Sequence, residues 1–399
     1  MRVESFPIEQ VNHYLWRRQG FAWEAQSVWA SLIGIYATSP TGYLSGLARD
    51  AQFRWADLDE WTVNQRQAVR LRAMRYSNFI IPVQLLPAVY QATKSQLSHP
   101  LKQMLKLGVS EGQYRELAAD IESILETGTL TASEIKAALP PALANFGEAL
   151  NYVIPQMCAE GTLVRAKTRG GWKSDLYEYA RLAWWLPDIN LNAMTPADGR
   201  AALARAYFDS YGPATLEDFR WWSGLSKGES QQAVAALSDE LVSLEVAGIE
   251  HWLLAARMGD LRVCPAEAPQ GVRLLPVWDA YLMAYKDRRR YLADEHFDRV
   301  YAKTGDATST VLINGVVAGV WDFQEQKKTL MVKVALFTEV GPLVWMALRE
   351  QVVRLAEAAG YPSVELLRCE PVSLKGGAQN LFKAPLKNAP GATIFKTLE

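Results

Sequence analysis

The chain has 399 residues, of which 49% are hydrophobic and 21% are charged, a composition typical of a globular protein with roughly two to four compact domains. Its formal net charge of −1 argues against a protein that coats nucleic acid indiscriminately, so any such contact must depend on local basic patches. No segment approaches the ~18 apolar residues that span a bilayer, and the first residues lack a signal-peptide core. We therefore expect a cytoplasmic protein that contacts no membrane.

The cysteines and histidines are few and widely separated: Cys158, Cys264, Cys369, His13, His99, His251 and His296. Metal sites usually place such ligands at short, regular intervals, so this scatter indicates reduced thiols and no metal site. The sequence also lacks the glycine-rich phosphate-binding patterns and the Gly-X-Ser-X-Gly and His-Glu-X-X-His motifs. We therefore expect no cofactor.

Residues 1–107 are expected to form the first of three tandem winged helix-turn-helix modules. Helical patterns run from Ile8 to Arg18 and from Trp23 to Ile35, and a strand pair follows around Arg70 to Ile81. Arginines with no acid between them are concentrated near the start of this strand pair: Arg66, Arg70, Arg72 and Arg75. Such a patch suits a phosphate backbone, although most charge runs are only solvated faces.

The second module, residues 108–192, has the clearest helix signals. Thr131-Ala-Ser-Glu134 is a capping box, in which the hydroxyl of Thr131 and the carboxylate of Glu134 each accept a hydrogen bond from the other residue's N–H. Pro140-Pro141 ends this short helix. The next helix begins near Ala142, carries apolar residues at intervals of three and four, and ends at Gly161. It would be the recognition helix.

A basic hairpin follows the recognition helix. Leu163 to Thr168 alternate as a half-buried strand, Gly170-Gly171 is a hairpin turn, and Leu176 to Leu182 form the returning strand. Four basic residues of this hairpin are expected to contact the phosphate backbone of a nucleic acid: Arg165, Lys167, Arg169 and Lys173. The alternative is a solvated hairpin in a module that binds protein.

The third module, residues 193–268, repeats this pattern. A helix ends at Tyr211-Gly212-Pro213, Thr215 caps a short helix, and a third helix runs from about Lys227 to Leu237. Two strand-like runs joined at Gly248 form its wing.

Residues 269–399 are expected to form a small β-rich C-terminal domain. Strands are predicted at Ser309 to Asn314, Val316 to Gln326 and Lys327 to Phe337, and the helix from Pro342 to Ala359 can cover one face. The predicted fold class is therefore α+β, with three tandem winged helix-turn-helix modules followed by this domain.

Four segments together resemble the winged-helix family that includes the AlkZ and YcaQ-type DNA glycosylases: Gly34 to Arg49, Arg72 to Pro82, Tyr211 to Leu225 and Leu274 to Arg288. Their order and spacing cover most of the chain. The resemblance implies three winged helices curved around DNA and an enzyme that excises bulky N-alkylated purines or unhooks interstrand crosslinks. It also implies that no metal or cofactor is needed.

The catalytic motif of this family, Gln-X-Gln or Gln-X-Asp, aligns with Tyr36-Ala37-Thr38, so the resemblance makes Tyr36 and Thr38 the candidate catalytic residues. A cationic alkylated purine is a good leaving group, and the enzyme mainly positions a water and stabilises an oxocarbenium-like sugar. The hydroxyl of Thr38 can orient water but supplies no negative charge. Alternatively, both residues only pack the end of a helix.

The resemblance also identifies candidate nucleic-acid contacts outside the hairpin: Arg72, Arg75, Tyr285, Lys286 and Arg288. Asp279 belongs to the same C-terminal signature and is expected to be structural or to face DNA. An internal ion pair between Asp279 and Arg288 is the alternative for those two residues.

Two functions remain open from the sequence. The first is a metal-independent DNA glycosylase of DNA repair, which hydrolyses the N-glycosidic bond of alkylated purines or crosslinks. The second is a non-catalytic, regulatory winged-helix protein, which the loss of both Gln positions favours. The expected partner in either case is double-stranded DNA, including damaged duplexes, and we expect a monomer.

Overall fold

The computed structural model describes residues 3–23, 32–140, 146–374, 386 and 392–397. These residues form both helices and strands, and the strands make up three sheets. This confirms the α+β class. Within the described ranges, no helix is both long enough and apolar enough to cross a membrane.

The helices, in chain order, are α1 (Ile8–Arg18), α2 (Thr41–Arg49), α3 (Trp55–Asp59), α4 (Leu86–Thr93), α5 (His99–Lys106), α6 (Glu111–Ile124), α7 (Ala132–Ala138), α8 (Leu150–Ala159), α9 (Leu182–Trp185), α10 (Pro196–Tyr211), α11 (Leu216–Ser223), α12 (Lys227–Ala235), α13 (Met258–Arg262), α14 (Phe297–Val300) and α15 (Pro342–Ala359).

The strands are β1 (Glu4–Phe6), β2 (Ile35–Tyr36), β3 (Ala68–Arg72), β4 (Asn78–Pro82), β5 (Leu130–Thr131), β6 (Leu163–Thr168), β7 (Tyr177–Arg181), β8 (Leu241–Val246), β9 (Ile249–Leu254), β10 (Val272–Leu275), β11 (Thr310–Ile313), β12 (Val316–Gln326), β13 (Thr329–Leu336), β14 (Ser363–Arg368) and β15 (Ala392–Lys396).

Three segments of the chain repeat one order of elements: a helix, a short strand or bridge, two helices and a hairpin. The first contains α1, β2, α2, α3 and the hairpin β3–β4, and the second contains α6, β5, α7, α8 and the hairpin β6–β7. In the third, α10 is followed by a bridge between Ala214 and Trp252, then α11, α12 and the hairpin β8–β9.

The first two hairpins lie in one six-stranded sheet of order β2-β4-β3-β6-β7-β5. Strand β3 meets β6 where Arg70 pairs with Arg165, so a continuous sheet crosses the expected boundary between residues 107 and 108. The N-terminal strand β1 pairs in parallel with β8 and belongs to the sheet of the third segment. These pairings join residues far apart in sequence, and alternation along single strands cannot reveal them.

The C-terminal sheet has the order β10-β11-β12-β13-β14-β15. Its strands β11, β12 and β13 form the predicted meander, and α15 spans the predicted helix. Asn314 and Gly315 both have positive φ, 51° and 84°, as a two-residue hairpin turn of type I′ requires. Strand β14 then pairs in parallel with β13 after the crossover through α15.

The helix predictions differ from the structure at two places. Helix α8 begins at Leu150 rather than near Ala142, with residues 146–149 in a 3-10 turn, and residues 141–145 lie outside the described ranges. Most of the helix expected from Trp23 to Ile35 also lies outside them, as residues 24–31. Ile35 itself is in β2, where it pairs with Ile80.

The capping predictions are confirmed. In α7 the hydroxyl of Thr131 accepts from the N–H of Glu134, and the carboxylate of Glu134 accepts from the N–H of Thr131. Thr215 caps α11 in the same way through Asp218. Helix α7 ends at Ala138, two residues before Pro140, as predicted.

Candidate active site

Tyr36 ends strand β2, and its side chain is buried, with 8% of its surface exposed. Its ring packs against Phe79, the residue opposite it on β4, with ring centroids 4.4 Å apart. On another side it stacks with Trp278 at 6.2 Å and an interplanar angle of 29°. Tyr36 therefore connects the first sheet to the beginning of the C-terminal region.

The hydroxyl of Tyr36 remains protonated at neutral pH. Burial raises its pKa above the ordinary value, the positive charge of Arg75 opposes this rise, and the negative charge of Asp306 adds to it. The phenol can donate a hydrogen bond but cannot act as a base near neutrality. The same two interactions place a guanidinium and a carboxylate within electrostatic range of the hydroxyl.

Thr38 lies on the loop between β2 and α2 and is partly exposed. Ala37, the residue before Thr38, has both backbone groups hydrogen-bonded. The N–H of Ala37 donates to the carbonyl of Asn78 at 2.9 Å, and the carbonyl of Ala37 accepts from the Tyr177 hydroxyl at 3.0 Å. The carbonyl of Thr38 accepts from the N–H of Thr41 at 2.9 Å. The loop is therefore ordered by its own hydrogen bonds.

The second hairpin holds the other end of this loop. The N–H of Ser39 donates to Asp175 Oδ1 at 2.9 Å, and the Ser39 hydroxyl donates to the carbonyl of Ser174 at 2.9 Å. The same Asp175 oxygen also accepts from the Tyr177 hydroxyl at 3.0 Å. Thr38, a partly exposed residue, is thus held on a fixed backbone, as the positioning of a water requires.

Two guanidinium groups lie against the same indole, and one of them, Arg75, is within electrostatic range of the Tyr36 hydroxyl. Arg75 lies over one ring face of Trp221, 4.3 Å from the ring centroid, and Arg288 lies 4.6 Å from the same centroid. Within the described ranges, neither guanidinium forms an ion pair with a carboxylate. Positive charges without acidic partners are the groups expected to attract a phosphate.

A glutamine fixes the backbone of Arg75, which is in the left-handed region at φ 52°. The N–H of Arg75 donates to Gln96 Oε1 at 3.0 Å, and Gln96 Nε2 donates to the carbonyl of Ser223 at 3.1 Å. Gly224 packs against the same glutamine: a Cβ added to Gly224 would lie only 2.9 Å from Gln96 Oε1. The turn that carries Arg75 is therefore docked on the C-terminal end of α11.

Arg288 is held by carbonyl groups and is 8% exposed. Its Nη1 donates to the carbonyl of Lys286 at 3.0 Å and its Nη2 to that of Gly305 at 3.1 Å. Lys286 is exposed and forms an ion pair with Glu217 at 3.1 Å. Arg288 therefore ties the loop around Gly305 to the indole of Trp221.

Asp279 is a structural residue, and the alternative of an Asp279–Arg288 ion pair is wrong. Asp279 pairs instead with Arg49, through contacts of 2.7 and 2.8 Å between completely buried side chains.

Tyr285, which was expected to contact DNA, is also fully buried, and its hydroxyl donates to the carbonyl of Tyr211 at 2.8 Å. Tyr285 therefore packs in the core of this structure and has no exposed surface that could contact DNA.

The second hairpin is not the solvated basic face that alternation predicts. Arg165 is 4% exposed and lies over the rings of Tyr177 and Tyr179, each 5.7 Å from its guanidinium carbon. Arg72, on the same sheet, is half-buried over the ring of Tyr76 at 4.1 Å. The expectation of an exposed Arg165 is wrong because α8 packs against this strand.

The other basic residues of the hairpin have acidic partners. Lys167 pairs with Glu178 at 3.0 Å, and Arg169 pairs with both Glu178 and Glu134 at 2.8 Å. Lys173 forms an ion pair with Glu325 on β12. Next to it, Trp172 stacks between Trp55 and Phe323, at 5.3 and 5.5 Å. The hairpin tip is therefore docked on the C-terminal sheet.

Comparison with known proteins assigns the family. Residues 30–358 match the family described as DNA glycosylase AlkZ-like. The chain belongs to the AlkZ-like DNA glycosylase family. An AlkZ-like relative, the interstrand DNA cross-link repair glycosylase of Streptomyces sahachiroi, is 27% identical over 269 residues, 63% of this chain and 68% of the relative.

The AlkZ-like fold is also found in a solved structure. The DNA glycosylase AlkZ of Streptomyces sahachiroi has a TM-score of 0.73 at 22% identity, and the match covers 91% of this chain and 100% of that one. The resemblance carried by the four sequence segments is thus confirmed, as is the interpretation of the chain as a DNA glycosylase of DNA repair. Membership of this family disfavours the non-catalytic alternative.

Two residues at this site were not singled out from the sequence. Trp221 lies inside the segment from Tyr211 to Leu225, but the pattern there indicates only a helix face. Asp306 lies in a loop with no motif around it. Only the approach of distant segments brings Asp306 within electrostatic range of Tyr36 and Trp221 into contact with Arg75.

Proposed function

We propose that this protein hydrolyses the N-glycosidic bond of alkylated purines in duplex DNA, including purines joined in interstrand crosslinks, at the site formed by Tyr36 and Thr38. The observation that carries the proposal is the partly exposed Thr38 on a fixed loop directly after Tyr36, whose hydroxyl is within electrostatic range of Arg75. Arg75 shares the indole of Trp221 with Arg288. A reacting sugar held by its phosphates needs this combination.

The chemistry suits the groups present. An N7- or N3-alkylated purine already carries positive charge, so its departure needs neither a metal ion as Lewis acid nor a proton donor. Thr38 would align the attacking water, and the protonated Tyr36 would donate a hydrogen bond or pack against the base. The relative named as an interstrand cross-link repair glycosylase supports crosslinks as one substrate class.

DNA would be held by winged-helix modules. We infer that the three repeated segments are such modules, since each has the order of helices and hairpin that this motif requires, and that residues 269–399 form the fourth unit. Arg72, Arg75 and Arg288 would contact phosphates directly. Four lysine and arginine side chains could do so only by leaving their acidic partners: Lys286, Lys167, Arg169 and Lys173. We expect one molecule to act on one lesion as a monomer.

The test is a single-turnover excision assay with excess protein and duplexes containing either N7-methylguanine or a nitrogen-mustard crosslink. The expected result is release of the free alkylated base and an abasic site, unaffected by a chelator. Undamaged duplex serves as the control. Tight binding to these duplexes without any base release would refute the proposed activity and leave a DNA-binding protein.

A further inference from the structure

We propose that Asp306 is the catalytic carboxylate of this site, receiving the proton of the attacking water and opposing the positive charge that develops on the sugar. The proposal rests on the glycosylase function proposed above. It identifies the group that supplies the negative charge absent from Tyr36-Ala37-Thr38.

Backbone contacts on both sides hold Asp306 at the site. The carbonyl of Ala307 accepts from the N–H of Trp278 at 3.1 Å, and Trp278 is the residue that stacks on Tyr36. On the other side, the carbonyl of Gly305 accepts from Arg288 at 3.1 Å. Asp306 is therefore fixed between the aromatic wall that contains Tyr36 and the guanidinium–indole stack.

The carboxylate itself is available for chemistry. Asp306 is half-buried, and its Oδ2 accepts from the Thr304 hydroxyl at 2.6 Å. Among the described residues, no Lys or Arg lies within ion-pair distance of it. Two other carboxylates are already engaged. Asp279 forms an ion pair with Arg49, and the Oδ1 of Asp175 accepts two hydrogen bonds that fix the Thr38 loop. Within the same described residues, the Oδ1 of Asp306 has no hydrogen-bond partner, so it can accept from a water or substrate.

Electrostatics agrees with this position. The negative charge of Asp306 contributes to raising the pKa of the Tyr36 hydroxyl, so the carboxylate lies within electrostatic range of that hydroxyl. A carboxylate in such a partly buried place stabilises nearby positive charge more strongly than one in bulk water. An oxocarbenium-like sugar beside Thr38 would carry positive charge of this kind.

The step balances without any further reactant. The bond between C1′ and the purine nitrogen breaks, and its electron pair leaves with the base, which becomes neutral. A water oxygen forms the new bond to C1′, and one water proton passes to the Asp306 carboxylate and then to solvent. The products are the free alkylated base and an abasic deoxyribose that carries the new hydroxyl group.

The experiment compares Asp306→Asn, Asp306→Glu and Asp306→Ala with Asp294→Asn, an exposed carboxylate elsewhere in the C-terminal region. Single-turnover release of N7-methylguanine, affinity for the same duplex and melting temperature are measured for each. We expect Asp306→Asn to lower the rate by about 100- to 1000-fold. Affinity and melting temperature should change little. Asp306→Glu should retain more activity than Asp306→Asn, and added formate should partly restore Asp306→Ala.

The outcomes separate the two proposals. If the natural protein releases the base and Asp306→Asn does so at the same rate, the role of Asp306 is overturned while the glycosylase function stands. A slow Asp306→Ala that formate does not accelerate, with Asp306→Glu as slow as Asp306→Asn, also contradicts a carboxylate role. If the natural protein releases no base, the proposed function fails first, and a catalytic Asp306 fails with it.

Discussion

Arg49 and Asp279 form a bidentate ion pair whose two side chains are completely inaccessible to solvent. Asp279 also accepts from the N–H of Tyr281 at 3.0 Å, and Arg49 donates to the carbonyl of Ser45 at 3.2 Å. The pair therefore joins α2, which follows the Thr38 loop, to the segment that carries Trp278. The position of the candidate active site depends on this buried contact.

Asp279→Ala should lower the free energy of unfolding by about 3–5 kcal/mol, because it leaves the buried guanidinium of Arg49 without its carboxylate. The ion pair of Arg257 with the exposed Asp260 provides the control, since Asp260→Ala should cost less than about 1 kcal/mol. Chemical denaturation checks both values. Equal, small effects of the two substitutions would contradict the structural role of Asp279.

Substitutions in the second hairpin should distinguish how much a buried and an exposed basic side chain each contribute to the stability of the fold. Arg165→Ala should destabilise the fold by about 1–3 kcal/mol, because it removes packing against Tyr177 and Tyr179. Lys167→Ala, at a side chain that is 41% exposed, should cost less than about 1 kcal/mol. Thermal melting of both variants decides this. An unchanged melting temperature in Arg165→Ala would contradict the packing of the Arg165 side chain against these two rings.

Thr38→Ala should reduce the single-turnover excision rate by roughly 10- to 1000-fold, since it removes the hydroxyl that aligns water. Ser5→Ala, at an exposed hydroxyl on β1, is the matched control and should have no effect. Quenched time courses with N7-methylguanine duplex measure the rates. Full activity in Thr38→Ala would place the chemistry elsewhere.

Restoring the family motif is a second test of the same site, in which the expected result is a faster excision rate. Tyr36→Gln combined with Thr38→Asp should raise the excision rate, because Asp adds negative charge next to the sugar. The Gln loses the ring contacts of Tyr36 with Phe79 and Trp278, so a lower melting temperature is expected as well. The rate is therefore compared at a temperature where both proteins remain folded. A slower double variant under those conditions would contradict this prediction.

Arg75→Ala and Arg288→Ala should each make DNA binding less dependent on salt, lowering the slope of log affinity against log salt by about one unit. Arg205→Ala, where the guanidinium is already paired with Glu240, should leave the slope unchanged. Fluorescence-anisotropy titrations at several salt concentrations give these slopes. Slopes equal to that of the natural protein in Arg75→Ala and Arg288→Ala would exclude phosphate contacts at these two residues.

His251 should make the fold sensitive to acid. Burial, and then the charge of Arg290, hold its pKa below the ordinary value of 6.5. The folded chain therefore binds this proton less readily than the unfolded chain. The stability contributed by neutral His251 is complete above the unfolded pKa and is lost as pH falls through the lowered folded pKa. His251→Gln should flatten the pH dependence of the unfolding free energy between about pH 7.5 and about pH 5. An unchanged slope would contradict this.

Local interactions made several elements predictable from the sequence. The capping boxes at Thr131 and Thr215, the turn at Asn314-Gly315 and helix α15 are determined by residues within a few positions of each other. A hydroxyl three residues from its partner N–H stabilises the same helix end in any globular context. The family resemblance likewise depends on linear motifs.

Only the tertiary structure decided how the surfaces of these elements are used. Alternation places Arg165 opposite Val164, but it does not reveal that α8 covers the second face of the sheet. It also cannot reveal that Asp279 meets Arg49 or that Asp306 lies near Tyr36. Those contacts depend on strand register and packing between distant segments, which short-range propensities do not encode. The charges of the candidate site are therefore properties of the folded chain, whereas its helix ends and turns are properties of the sequence.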